Sequence, residues 1–264
     1  MNRINKGLIH CIFSSLCLFE IVPASAQVLL DQTFESLSVG TINGQAGFGV
    51  SGQASSANVV NNSSIAFAGS QYLEIQGPAR TVFQTGLEGF AVGTNDFVFT
   101  LHVRVTDLGG AFNGLELILN ADGGPDRMVH TSLSRFGDVR AVTNDNGTLT
   151  QLATISAGEW YLLNYAIDPS TLNYEMSMIR DSDSVVIIAP TTVAFDTVVG
   201  GSVDALNDIR FTLADEAVSG NWLVDNLSFT AVPEPSTSVL FGIAATIFIL
   251  VSHRRYTRIF RLSV

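Results

Sequence analysis

Phe97-Val98-Phe99-Thr100-Leu101-His102-Val103-Arg104-Val105-Thr106 decides the fold class. Phe97, Phe99, Leu101, Val103 and Val105 fall on one face of an extended chain, and Thr100, His102, Arg104 and Thr106 fall on the other. A period of two with apolar and polar sides is the mark of a half-buried strand. Its apolar face needs a second layer to cover it, so the stretch predicts a two-layer β architecture.

The same reading extends along the chain. Leu115 to Leu119 predicts a strand closed by the turn-rich Asn120-Ala121-Asp122-Gly123-Gly124-Pro125. Val139 to Thr143 and Thr148 to Ile155 flank Asn144-Asp145-Asn146-Gly147, where Asn-Gly supplies positive φ for a hairpin. Trp160 to Ile167 and Leu172 to Arg180 form a second hairpin around Asp168-Pro169-Ser170-Thr171, with Leu172, Tyr174, Met176 and Met178 expected on one face. Val185 to Ile188, Ile209 to Leu213 and Trp222 to Phe229 continue the series. Val39 to Ser64, rich in Gly, Ser, Ala and Asn, reads as loop with one or two weak strands. No helical period runs between residues 27 and 232, so the fold class is all-β, an antiparallel two-sheet sandwich.

Composition narrows the setting. Residues 27 to 232 contain seven Arg and no Lys against 22 Asp and Glu, a balance of −15. That surface disfavours nucleic acid and anionic lipid. Both cysteines, Cys11 and Cys17, precede residue 27, so an exported chain has no disulfide and rests on its core.

The two ends carry addresses. Arg3 and Lys6, the apolar Leu8 to Phe19, and Ala24-Ser25-Ala26 follow the charge, apolar and small-residue order of a signal peptide over residues 1 to 26. Cleavage after Ala26 by signal peptidase, following passage through the Sec translocon, is the expectation. Near the other end, Pro233-Glu234-Pro235 precedes the apolar run Val239 to Val251, then Arg254, Arg255, Arg258 and Arg261. Thirteen apolar residues make about 20 Å of helix, which flanking serines extend to a marginal membrane span at about 237 to 252. The arginines favour the cytoplasmic side, so the inner membrane holds the precursor transiently.

Pro233-Glu234-Pro235-Ser236, the short apolar helix and the basic cluster at 254 to 261 resemble the PEP-CTERM sorting signal of Gram-negative bacteria, the substrate of exosortase. The resemblance covers about residues 232 to 261 of a sorting segment at 232 to 264, and Tyr256 to Val264 prolongs the tail past the usual basic cluster. It implies cleavage near the triplet and delivery to the cell surface or an extracellular polysaccharide matrix. Between the two ends, residues 27 to 231 resemble concanavalin A-like or LamG-like jelly rolls. Asp31-Gln32-Thr33-Phe34-Glu35, Gly69 to Ile75, Glu159-Trp160-Tyr161-Leu162 and Trp222 to Phe229 carry that likeness.

Candidate chemistry is sparse. If Leu223, Leu227 and Phe229 face inward, strict alternation puts Asp225 on the same face, where a carboxylate needs a partner. Asp31, Glu35 and Asp225 are a candidate ligand set for a structural Ca²⁺, which jelly-roll carbohydrate-binding modules resembling this pattern carry; the competing expectation is that Asp225 sits at a sheet margin and bonds backbone amides or an Arg. Asp122 to Asp126 and Asp181-Ser182-Asp183 lack EF-hand spacing and read as acidic turns. No cofactor is required. Catalysis is not expected: the Glu-x-Asp-x-x-Glu of laminarinase-like enzymes and the Gly-x-Ser-x-Gly elbow are both absent, and Glu116 has no carboxylate at alternate positions. Trp160, Trp222, Tyr72, Tyr161, Tyr165 and Tyr174 are candidates for a sugar-stacking platform or for core. The expectation is a non-enzymatic surface or matrix protein that binds glycan or exopolysaccharide. A structural or adhesive protein and a weak polysaccharide hydrolase are the alternatives.

In its native host the mature protein should begin at Gln27 and end near Pro233 to Pro235. Mass spectrometry of both termini, on fractionated cells and matrix, checks this; an intact tail retained in the inner membrane overturns the sorting reading.

Overall fold

The computed structural model describes residues 25–52, 57–76, 79–83, 87, 90–93, 95–108, 114–121, 127–134, 136–143, 148–196, 203–213 and 221–233. The called signal peptide, with Ala24, and the tail from Glu234 through Pro235 to Arg254, Arg255 and Arg258 lie outside these residues. Ala26 to Val232 forms a compact unit with its own core.

Two antiparallel sheets make up that unit. The larger runs β14 (Val185–Ala194), β13 (Asn173–Arg180), β12 (Trp160–Asp168), β7 (Asn95–Val105), β16 (Trp222–Pro233), β5 (Gln71–Ile75), β4 (Ala57–Asn61) and β2 (Gly40–Thr41), with β1 (Gln27–Gln32) also paired to β16. The smaller runs β11 (Thr148–Thr154), β10 (Asp138–Thr143), β9 (Arg127–Leu133), β8 (Leu115–Ala121), β15 (Leu206–Leu213), β6 (Ala79–Phe83) and β3 (Phe48–Gly52). No helix occurs among the described residues. The segment Val39 to Ser64 contains three strands, β2, β3 and β4, more order than its composition suggests. They form because neighbouring strands supply the hydrogen bonds that local propensity does not.

The decisive stretch behaves as its alternation requires. Phe97, Phe99, Leu101, Val103 and Val105 on β7 are all buried in the core between the sheets. An aromatic line starts from them: Phe229 stacks on Phe97 at 5.5 Å and meets Phe99 edge-on at 5.7 Å, Phe99 stacks on Tyr165, and Tyr165 leads to Tyr174 and Phe195. Tyr165 also donates its hydroxyl to Thr131 Oγ1 on β9 at 3.2 Å, tying the sheets together by one buried hydrogen bond. Burying this apolar surface is the main favourable term available to a cysteine-free domain.

Two expectations about facing are corrected. Leu172 does not join Tyr174, Met176 and Met178; it sits in the turn with φ 53° and is 43% exposed. On β16, Trp222 and Val224 face the core, so Leu223 and Asp225 lie on the opposite face, and Leu227, Phe229 and Ala231 return to the core. Asn226 is the reason. Its φ of 47° makes a bulge that shifts the alternation by one residue.

That bulge marks a junction. One edge of β16 is paired with β7, while the other is shared: Trp222 to Val224 pair with β5, and Leu227 to Ala231 pair with β1. Asp225 fills the hand-over. Its Oδ2 accepts from the amides of Phe67 and Ala68, each at 3.2 Å, and its Oδ1 from Asn226 at 2.8 Å. Glu35 closes the adjoining gap between the end of β1 and the start of β5, accepting from the Ser70 and Gln71 amides at 2.8 and 2.6 Å and from Ser70 Oγ at 3.0 Å. Gly69 must be glycine here, with φ 69° and with any Cβ only 2.5 Å from Glu35 Oε1.

Burial pushes the Asp225 carboxyl up to about 6, with the neighbouring Glu35 charge adding to the rise and the three amides opposing it. A folded-state pKa above the unfolded one in an acid means that the folded state holds its proton longer, so this group's contribution to stability falls as pH rises from about 4 to about 6. Asp225→Asn cannot lose that proton. Chemical denaturation should show the variant gaining on the wild type between pH 4.5 and 7.5; an unchanged difference would contradict the assignment.

Candidate functional site

Asp31, Glu35 and Asp225 do not come together as a ligand set. Asp31 pairs in register with Ser228 and faces solvent, while Glu35 and Asp225 spend their oxygens on backbone amides. Among the described residues no group of three His, Cys, Asp or Glu could hold a metal ion. The amide-bonding expectation for Asp225 is the arrangement seen, although the residue sits at a shared edge inside the sheet.

The aromatic candidates divide. Trp222, Tyr72, Tyr161, Tyr165 and Tyr174 are buried, so they form no stacking platform. Trp160 is half-buried on the outer face of the larger sheet, donating Nε1–H to the Ile65 carbonyl at 2.9 Å and meeting Phe67 edge-on. Phe67 in turn stacks on His102 at 3.6 Å, covering a residue the sequence places on a polar surface. Burial draws the His102 imidazole down to about 4, so it is neutral beside Asp181, whose carboxyl burial raises to about 6. Asp183, in the same turn, is paired to Arg180. Asp122 and Asp126 lie outside the described residues.

The polar side chains that do gather lie on the outer face of the smaller sheet. Pairing register lays them out in rows across β10, β9, β8 and β15. Arg140, Ser132, Glu116 and Thr212 form one row; His130, Ile118 and Arg210 form the next; Arg127, Asn120 and Asp208 form the third. Their inward neighbours Leu115, Leu117, Leu119, Val129, Ile209 and Phe211 belong to the core, which is why alternation drives these residues outward together.

Three carboxylate–guanidinium forks organise this face. Asp208, fully buried, accepts from Arg210 Nη2 at 2.7 Å and from Asn120 Nδ2 at 2.6 Å. Asp138 accepts from Arg140 Nη2 at 2.6 Å. Asp196 Oδ2 lies 2.9 Å from His130 Nδ1 and 3.2 Å from Arg127 Nη1, and a two-way backbone bridge between Arg127 and Asp196 fixes this third fork. Burial lowers the His130 pKa against the opposing Asp196 hydrogen bond, so the imidazole is neutral at pH 7, and its Nε2 has no hydrogen-bond partner. Asp208 and Asp196 at the bases of two forks are buried, Asp138 at the third is half-buried, and the arginine heads are half-buried, with side-chain exposures of 35%, 32% and 26% for Arg127, Arg140 and Arg210. Such a face presents acceptors and donors side by side, held rigid from below.

Part of this was open to sequence reasoning. Asp138-x-Arg140 and Asp208-x-Arg210 each place opposite charges two apart on a strand, hence on one face. The partnership of Arg127 and His130 with Asp196 has no such signal, because 69 residues separate Arg127 from Asp196. Asn120, read as turn, is strand.

No protein-family model and no curated protein sequence matches the chain. Solved structures match it in fold. Lectin II from Ulex europaeus is 11% identical with a TM-score of 0.51 over 80% of this chain and 99% of that one. Peanut lectin, solved with a 9mer peptide, is 11% identical with a TM-score of 0.50 over 79% and 98%. A sialidase at 12% identity and a TM-score of 0.49 covers 80% of this chain, which spans only 19% of that longer protein. The sandwich therefore shares the concanavalin A-like jelly-roll fold of these two lectins.

Because protein donors already satisfy Glu35 and Asp225, excess chelator is expected to leave the melting temperature of Ala26–Val232 unchanged. A drop of several degrees, restored by added Ca²⁺, would reinstate a structural calcium site.

Proposed function

We propose that this chain is an exported, non-enzymatic glycan-binding protein of the cell surface or extracellular matrix, using the polar outer face of the smaller sheet. The observation that carries the reading is the set of three forks on that face. Neighbouring sugar hydroxyls both donate and accept, so a carboxylate beside a guanidinium matches a pair of them, and preformed forks avoid the cost of ordering long side chains on binding. The lectin-type fold is consistent with this use.

Catalysis is poorly served by the same face. A glycoside hydrolase needs two carboxyl groups flanking the scissile bond. Glu116 has Ser132 and Thr212 as its cross-strand neighbours and Ile118 as the next outward residue on its own strand. Asp208 is held by Arg210 and Asn120.

Where the protein acts is read from the sequence ends alone. The signal peptide, the Pro233-Glu234-Pro235 triplet and the Arg254, Arg255 and Arg258 cluster support export, transient anchoring in the inner membrane and sorting by an exosortase to the surface or an exopolysaccharide matrix.

On a glycan array, Ala26–Val232 should bind a restricted set of neutral or acidic oligosaccharides. Arg127→Ala and Arg140→Ala should each weaken binding about tenfold, or roughly 1.4 kcal/mol, with the fold intact by circular dichroism. An empty array supports the structural or adhesive alternative, and reducing-sugar release supports the hydrolase.

A further inference from the structure

A second feature lies on the opposite face of the sandwich, and it is a groove. Pairing register aligns Val98, Ala166, Glu175 and Thr192 in one row across β7, β12, β13 and β14, on the outer face of the larger sheet. Ala166 sits in the middle of that row and is exposed. Its single methyl group, between longer neighbours, leaves a depression of about 420 Å³, bounded on further sides by Asp96, Asn173 and Val232. That volume falls in the range of small-ligand pockets, roughly 300 to 1,000 Å³.

The lining is amphipathic in a particular way. Val98 and Val232, 37% and 38% exposed, form an apolar patch with the Ala166 methyl. Around it stand carboxylate, amide and hydroxyl groups, and Glu175 is exposed. Among the described residues no Lys, Arg or His lines the groove. Apolar floor and acceptor-rich rim fit a ring with one face of C–H bonds and an edge of hydroxyls. A sugar carboxylate desolvated beside the exposed Glu175 would cost free energy, which disfavours anionic sugars.

The geometry points to this groove as a second carbohydrate subsite, for a neutral pyranose whose C–H face lies on Val98 and Val232 and whose hydroxyls bond Glu175, Asn173 and Thr192. The inference rests on the glycan-binding reading above and adds an activity to it. With one site on each outer face of a two-sheet sandwich, a single domain bridges two polysaccharide strands, and linkage of that kind raises avidity well beyond either site alone.

Isothermal titration of Ala26–Val232 with neutral tetra- to hexasaccharides of glucose, galactose, mannose and xylose is expected to give two sites per chain for a bound sugar. Ala166→Trp, at an exposed position, should fill the groove and leave one site, with an unchanged melting temperature. Glu175→Ala should weaken that site about tenfold, and Arg127→Ala should weaken only the other. The matching polysaccharide should be cross-linked by the wild type, seen as a rise in viscosity, and not by Ala166→Trp. A single site in the wild type that survives Ala166→Trp overturns the groove and spares the first reading; two sites that persist in Ala166→Trp overturn it as well. Absence of binding to every sugar in the panel overturns the groove, and an empty glycan array overturns the first reading as well.

Discussion

The fold depends on how the central strand β16 shares one of its edges. Two strands far apart in sequence, β5 and β1, take successive parts of that edge, and around the hand-over the amides of Phe67, Ala68, Ser70, Gln71 and Asn226 turn to side-chain acceptors. Backbone amides that a sheet ladder does not serve need another acceptor. Asp225 and Glu35 supply the acceptors from side chains, five amide bonds in all, and the Asn226 bulge turns Asp225 toward them. With that edge closed, β16 holds Phe229 against Phe97 and Phe99, and the aromatic line that joins the two sheets follows.

The same device recurs at the second sheet. The edge of β9 is paired with β10 over Thr131 to Leu133, and at Arg127 it passes to Asp196. Here the acidic side chain meets other side chains instead of backbone: Asp196 gathers Arg127 and His130 into a fork. Shared strand edges thus hold two of the buried carboxylates, Asp225 and Asp196, while the third, Asp208, faces Asn120 across β15 and β8. At one of those edges the carboxylate serves only the fold, and at the other it organises a surface.

The two outer faces differ in chemistry because they differ in what lies beneath them. On the smaller sheet, forks rooted in buried Asp208, Asn120 and Asp196 present fixed donors and acceptors. On the larger sheet, Ala166 leaves space and its described neighbours supply an acceptor-rich rim. Part of that sheet is itself covered, since Ile65 and Phe67 lie over Trp160 and His102. This cover explains why a histidine on the polar side of a strand is neutral and half-buried rather than exposed.

Alternation by itself determined the class. The β7 stretch, the hairpins at residues 139–155 and 160–180, and the two-sheet sandwich were legible because period-two burial is a local property of the chain. Local charge pairs such as Asp208 and Arg210 were legible for the same reason. Tertiary structure alone decided what Asp225 does, since a one-residue bulge reverses every later facing, and a φ of 47° at an asparagine leaves no mark in a hydrophobic pattern. It alone decided the Arg127, His130 and Asp196 fork and the groove at Ala166. Both depend on which strands become neighbours, and pairing partners separated by tens of residues are chosen by the packing of the whole core.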